Sequence, residues 1–268
     1  MFSAICFSRN PYRIENEVVI VFDFGRKTIA FRLAIRCHVQ MSVEYRIISI
    51  GTLSHNVVWK ETKPVRTQHA TTTLVVDGDR RILVDPSLPA EILNGRLVER
   101  CGVGAESITD IFCTTLRPDF RRALESDLFA SAKWWCGETE LQWYARRLEE
   151  TSETAERLGN TETDNIQREL DLLRRFQSAP DKFTSQVSSF PLFGATPGCT
   201  GLLLTPPTQT ILVAGPAVAT GEHLEQGIIW EQSADQDTAM ESLVDMLDLA
   251  DVIIPGFDNV AFSPRRWM

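Results

Sequence analysis

Two short stretches hold the side chains best suited to chemistry. In Cys113-Thr114-Thr115-Leu116-Arg117-Pro118-Asp119-Phe120-Arg121-Arg122-Ala123-Leu124, a guanidinium and a carboxylate stand two residues apart, close to a threonine hydroxyl. In Thr196-Pro197-Gly198-Cys199-Thr200, a thiol follows a turn signal. Carboxylates and thiolates both bind zinc, and Asp119 and Cys199 are of those types. A catalytic zinc needs about three protein donors and an open position for water. Two anionic ligands beside a guanidinium make a poor site of that kind. Cys199 could instead be a nucleophile if a base adjoined it, or a structural thiol, and nothing in the sequence identifies the base. The histidines at 38, 55, 69 and 223 form neither HxH nor HExxH, so they read as surface or loop residues. His55 and His69 stay open as an acid or base near the same region. Ser49, Ser54 and Ser87 lie outside any G-x-S-x-G context, and residues 215–221 lack a P-loop lysine. A serine hydrolase and a phosphate cradle therefore have little support.

The elements that must position these residues alternate between strands and helices. The apolar run 108–112 reads as a buried strand that hands residues 113–124 to a helix. Before it, strands at 71–76 and 81–85 flank the turn Asp77-Gly78-Asp79-Arg80, a hairpin signal. Ile92, Leu93, Leu97 and Val98 give residues 88–101 helical spacing that stops near Gly102. A short strand is expected at 130–135, with Trp134 and Trp135 packing under adjacent helices or, alternatively, stacking on a ligand or partner. Residues 138–176 are charge-rich and helical, with Leu141, Tyr144 and Leu148 on one stripe and Ile166, Leu170 and Leu173 on another, interrupted at Gly159-Asn160. They read as a helical pair with one face on the core; a lid or partner-binding role is the alternative. Strands follow at 190–193, 202–204 and 210–214, then a helix at 237–249 and a last strand at 252–254.

Composition bounds the function. The chain has 268 residues, 43% hydrophobic and 24% charged, with a net charge of −9, which describes an ordinary globular protein. A pI near 5.1 argues against nucleic-acid binding and against a basic membrane-surface protein. No apolar run is long enough to cross a bilayer. Residues 1–13 lack a basic start followed by an uninterrupted apolar core, so no secretory leader is expected. The six cysteines are scattered without CxxC pairs, which points to reduced thiols in the cytoplasm. Residues 1–40 are net basic and read as an appendage, with strands at 18–22 and 29–33 around Gly25. An upstream start codon is one reading of that segment. Met41 then opens the natural first strand of the domain spanning 41–268.

The order of these segments resembles the metallo-β-lactamase superfamily. Residues 72–75 and 82–85 resemble its opening hairpin with a strand-end aspartate, Asp85. Residues 113–124 resemble the T-H-x-H-x-D-H loop, and 196–200 the P-G-H-T loop. Residues 211–218 resemble the strand that ends in G-D, and Pro255-Gly256-Phe257-Asp258 the terminal P-G-H-D loop. Carried across position by position, the family's histidines become Thr115, Arg117, Phe120, Cys199 and Phe257, and its bridging aspartate becomes Pro216. Asp119 alone keeps its type. The turns persist at Pro118, Pro197-Gly198, Gly215 and Pro255-Gly256.

The resemblance implies an α/β (α+β) fold, an αββα sandwich of metallo-β-lactamase type with a helical insertion at about 138–178. It implies an old cleft lined by Thr115, Arg117, Asp119, Phe120, Cys199, Pro216 and Phe257. The loss of donors makes the expected function a metal-free, catalytically degenerate protein with a binding, regulatory or assembly role and no cofactor. The alternative is a hydrolase of esters, thioesters or lactams, holding zinc or another divalent metal through Asp119 and Cys199. Arg117 either pairs with Asp119 in place of the ion or extends to solvent. The partner is then a small anion bound through Arg117, or another protein. Family members often dimerise, so the resemblance also implies a homodimer.

Overall fold

The computed structural model describes residues 15–23, 28–36, 42–158 and 163–264. The chain divides into two compact units, residues 1–41 and 42–268. In the first, strands β1 (Glu15–Asp23) and β2 (Thr28–Arg36) form an antiparallel hairpin.

The second unit is built on two sheets. One has the order β3 (Glu44–Ser49), β4 (Thr72–Asp77), β5 (Arg80–Val84), β6 (Asp110–Cys113), β7 (Lys133–Cys136) and β8 (Phe176–Ser178). Its first three strands are antiparallel, and β5 to β8 run parallel. The other sheet comprises β9 (Val187–Pro191), β10 (Thr200–Leu204), β11 (Ile211–Gly215), β12 (Val252–Pro255) and β13 (Ala261–Phe262), in the order β13-β12-β11-β10-β9.

Side-chain alternation sorts the core into layers, because successive residues of a strand face opposite sides. Val75, Ile82, Val84 and Phe112 pack against Leu202, Ile211, Val213 and Ile254 between the sheets. Leu74, Leu83, Ile111 and Trp134 face the other way, onto Leu93 and Leu97 of α1 (Ala90–Cys101) and Leu141 and Tyr144 of α2 (Glu138–Leu158). Leu212, Ala214 and Ile253 face Leu243 and Met246 of α5 (Gln236–Leu249). The result is the expected αββα sandwich.

Several boundaries shift from the sequence reading. Residues 113–124 do not lead into an α-helix; three short 3-10 turns follow, at Pro118–Phe120, Arg122–Glu125 and Asp127–Phe129. The strand expected at 190–193 runs instead from Val187 to Pro191, and that expected at 130–135 is Lys133–Cys136. The helical insertion is α2 and α3 (Thr163–Leu173), followed by β8, which extends the first sheet; its break at Gly159-Asn160 lies outside the described residues. Trp134 is buried with its ring against Phe176, whereas Trp135 sits between the sheets against Phe183 and donates its indole N–H to Asp110 at 2.8 Å. A short helix, α4 (Gly221–Gln226), precedes α5 and is capped by the Thr220 side chain.

Candidate functional site

Every expected site position lies in a loop that leaves the carboxyl end of a strand, the usual place for a ligand in sheets of this kind. Asp85 follows β5, residues 114–120 follow β6, Pro216 follows β11 and Phe257 follows β12. Backbone hydrogen bonds hold these loops together: Thr200 N–H donates to the Thr114 carbonyl at 3.0 Å, Thr71 to Gly256 at 2.7 Å and Phe257 to Ala219 at 2.9 Å. Two of the retained glycines serve this close approach. Gly215 has φ +55°, and a Cβ there would overlap the Thr114 hydroxyl. A Cβ on Gly198 would overlap the backbone at Glu140. The turns survive because the loops are packed backbone to backbone.

The interior of the cleft is apolar. Phe120 and Phe257 meet edge to face, ring centroids 5.3 Å apart at 74°, and Trp230 lies 5.1 Å from Phe257. Leu53, Ala70 and Ala219 complete this buried cluster. Arg117 covers it from outside, with its guanidinium 4.7 Å from the Trp230 ring centre. The same guanidinium donates from Nε to Asp119 Oδ1 at 3.2 Å and from Nη2 to Gln232 at 3.2 Å. Gln68 donates to Asp119 Oδ2 at 2.5 Å. Arg117 thus pairs with Asp119 rather than running to solvent, although the pair stays partly exposed, at 28% and 15%.

The remaining expected residues do not join that cluster. Thr115 is buried and donates its hydroxyl to Glu140 Oε1 at 2.7 Å. Pro216 is buried and carries no donor. Cys199 packs with Leu192, Leu212 and Met246 on the α5 side of the second sheet. Burial raises its thiol well above the usual range, with the nearby Glu140 and Asp85 charges adding to the effect. A thiol held protonated is a poor nucleophile. His55 lies 3.6 Å from Glu231, and His69 bonds only to backbone carbonyls. His38 lies outside the described residues.

Two residues to which the sequence reading gave no role, Glu140 and Arg121, organise the site together with the strand-end Asp85 that it named. Glu140, fully buried in the first turn of α2, accepts from the Thr115 hydroxyl, from Leu116 N–H at 3.1 Å and, on its other oxygen, from Gly198 N–H at 3.1 Å. One carboxylate therefore ties the 113–120 loop to the 196–200 loop. Its sequence signal was an acidic residue three positions after Gly137, at the start of a helix. Arg121 is also fully buried; it donates to the Leu116 carbonyl at 2.7 Å and to Tyr144 at 3.1 Å, and pairs with Glu169 of α3. This joins the same loop to both insertion helices. Asp85 takes φ +51° and accepts from Thr114 N–H and Oγ1, both at 2.8 Å. Burial pushes its carboxyl up to about 8; the Thr114 bonds oppose the shift and the Asp119 charge adds to it. Trp230 carried no motif that would have marked it.

No family model matches the chain, and no curated protein matches it by sequence. Solved structures do match. AidC, a dizinc quorum-quenching lactonase in complex with N-hexanoyl-homoserine as product, superposes with a TM-score of 0.59 at 16% identity, over 92% of this chain and 93% of its own. A mutant of AiiA from B. thuringiensis, with N-decanoyl-L-homoserine at its active site, gives 0.56 at 15% over 85% and 97%. The hydrolase AbOPH, of the beta-lactamase superfamily, gives 0.57 at 16% over 83% and 91%. The chain has the metallo-β-lactamase fold.

The residues present do not fit the metal that this fold implies. Of the positions carried over from the resemblance, Phe120, Phe257 and Pro216 offer no donor atom, and Arg117 brings a fixed positive charge. Asp119 is bonded to Arg117 and Gln68, and Cys199 belongs to a different packing cluster. Among the described residues no group of three or more His, Cys, Asp or Glu side chains is placed to hold an ion.

Proposed function

We propose that this chain is a metal-free, catalytically degenerate protein of the metallo-β-lactamase fold, with a binding, regulatory or assembly role. The observation that carries the reading is the aromatic cluster. Phe120 and Phe257 stand where two metal-binding histidines are implied, and they pack against each other and Trp230 as a closed core. Around it, Glu140 joins loops that a metal would otherwise join. A water-activating ion is the usual source of hydrolytic chemistry in such a site, and Cys199, the nucleophile the sequence offered, is buried with its thiol held protonated.

The likeness to lactonases favours a second reading, a hydrolase with a non-standard metal site including Asp119 and Cys199. Fold alone does not establish activity. Hydrolysis of lactone, thioester and ester substrates separates the two. The first reading expects the buffer rate with and without added zinc or manganese. Metal-dependent turnover that Asp119→Asn or Cys199→Ser abolishes would establish the second.

The partner proposed is another protein or a second copy of the chain, with a small anion bound through Arg117 as the alternative. For an anion, Arg117 has Nε and Nη2 already engaged, which favours a macromolecular partner. Neither nucleic acid nor a membrane is proposed, given the acidic composition; among the described residues no helix is long and apolar enough to cross a membrane. A cytoplasmic location is supported by the scattered cysteines, four of which stand free in the structure. The segment 1–40 is proposed as an appendage, and peptides from it in the native protein would refute a start-site artefact.

A further inference from the structure

Two exposed apolar patches of the second unit are edged with opposite charge. The first is the excursion between β3 and β4, where Ile50, Val57, Trp59 and Val65 stand between 41% and 62% exposed. It is built rather than loose. Thr52 bridges to His69, and Val65 N–H donates to the Ser54 carbonyl at 2.8 Å. Asn56 caps the 3-10 turn Val57–Trp59, and its own N–H donates to Glu61, which pairs with Arg66. Arg66 covers one face of the Trp59 ring, 5.2 Å from its centre, and Glu222 accepts the indole N–H at 3.0 Å. A tip held in this way loses little freedom on binding. Lys60 and Lys63 flank it, exposed and without an ion pair among the described residues. The second patch is on α5. Met240 and Val244, 42% and 41% exposed, lie one turn apart outside the buried stripe of Ala239, Leu243 and Met246. Asp237, Glu241 and Asp245 run alongside at the same spacing, exposed and also without an ion pair among the described residues. Like charges one turn apart repel along a helix. Nothing nearby in sequence relieves them: residues 183–264 contain ten Asp and Glu and no Lys or Arg. That stretch supplies the whole second sheet with α4 and α5, so its own charge is of one sign.

We infer that the chain associates with a second copy of itself through these two patches. Val57, Trp59 and Val65 of one copy seat against Met240 and Val244 of the other, and Lys60 and Lys63 meet the row Asp237, Glu241 and Asp245. Exposed apolar groups edged by complementary charge suit an interface between proteins. A protein of net charge −9 repels its own copies, so a contact has to bring the basic excursion onto the acidic layer. The two patches differ, which makes the contact head-to-tail. Neither contains a carried-over metal position; the inference therefore goes beyond the reading above and holds for a catalytic or a degenerate cleft.

Sedimentation velocity of the full chain tests this. Association should grow with chain concentration and weaken with added salt, which screens surface charge. Trp59→Ala, Lys60→Glu/Lys63→Glu and Glu241→Lys/Asp245→Lys should each raise the dissociation constant about tenfold or more. All these positions are exposed, so melting temperatures should stay near that of the wild type. A mixture of the two charge-reversed variants should regain the association that each has lost, because each still carries the surface the other lacks. The fourfold variant should regain it alone. A chain that stays monomeric up to its solubility limit, association indifferent to both reversals, or a mixture that stays monomeric would each overturn the inference. Metal content and hydrolysis are not read, so its failure leaves the cleft reading where it stands.

Discussion

Removing the Glu140 carboxylate should cost this fold more than any other single polar change in the cleft. Glu140→Ala strands Leu116 N–H and Gly198 N–H, which now donate to it at 3.1 Å, and frees the Thr115 hydroxyl from a 2.7 Å bond. A buried donor left unsatisfied costs about 1–3 kcal/mol, and two backbone donors cannot rotate to find other partners. The threonine hydroxyl can. Relief from burying a charge offsets part of the loss. The expected net destabilisation is about 3–4 kcal/mol, a large share of the roughly 5–15 kcal/mol typical of a domain. Glu140→Gln keeps one acceptor oxygen but turns an amide toward a donor, so about half that cost is expected. Urea unfolding reads both, as a lower midpoint at unchanged m-value. Hydrogen exchange at Leu116 and Gly198 should accelerate together, because a single group protects them. If Glu140→Ala shifts stability by less than about 0.5 kcal/mol, the size of an ordinary surface change, the two loops are not held together in this way.

Asp85 makes stability depend on pH. Its folded carboxyl titrates near 8 against an ordinary value of 3.8, so between those limits the folded state binds more protons than the unfolded one. Its contribution to stability is therefore greatest at low pH and falls as pH rises through that window, by at most ~1.4 kcal/mol per unit. Asp85→Asn mimics the protonated form and tolerates the left-handed backbone; it should flatten the dependence between about pH 4 and 8 and melt above the wild type at the upper end. Phe120→Ala, which opens a void between Phe257, Leu53 and Ala70, should cost about 3–5 kcal/mol in the same unfolding assay. Arg117→Ala removes a partly exposed pair and a contact with Trp230, so a loss of about 1 kcal/mol is expected; a loss as large as that of Phe120→Ala would place the electrostatic pair, rather than the rings, at the centre of the cleft.

The features legible in sequence were those with a local cause. Apolar runs such as Ile82-Leu83-Val84 beside the turn Asp77-Gly78-Asp79-Arg80 marked strands, and Gly198 and Gly215 marked turns that persist. Asp85, Asp119 and the missing donors at Thr115, Phe120, Pro216 and Phe257 could be read from spacing along these loops. What could not be read was long-range. Phe120 and Phe257 meet only because β6 and β12 end at the same side of the sandwich, and neither stretch hints that Trp230 will join them. Glu140 stands in a charge-rich helix, where a carboxylate is ordinarily solvated, and only the packing of α2 against Gly198 buries it. Cys199 follows a turn that suggested the cleft, but the alternation of β10 sends its side chain to the other layer.

The metal content of the purified protein tests the central reading most directly. Elemental analysis after equilibration with excess zinc and gel filtration should find zinc, iron and manganese all far below one equivalent, with the melting temperature unmoved by the metal. Close to one ion or more per chain, retained through the column and released by Asp119→Ala, would contradict it.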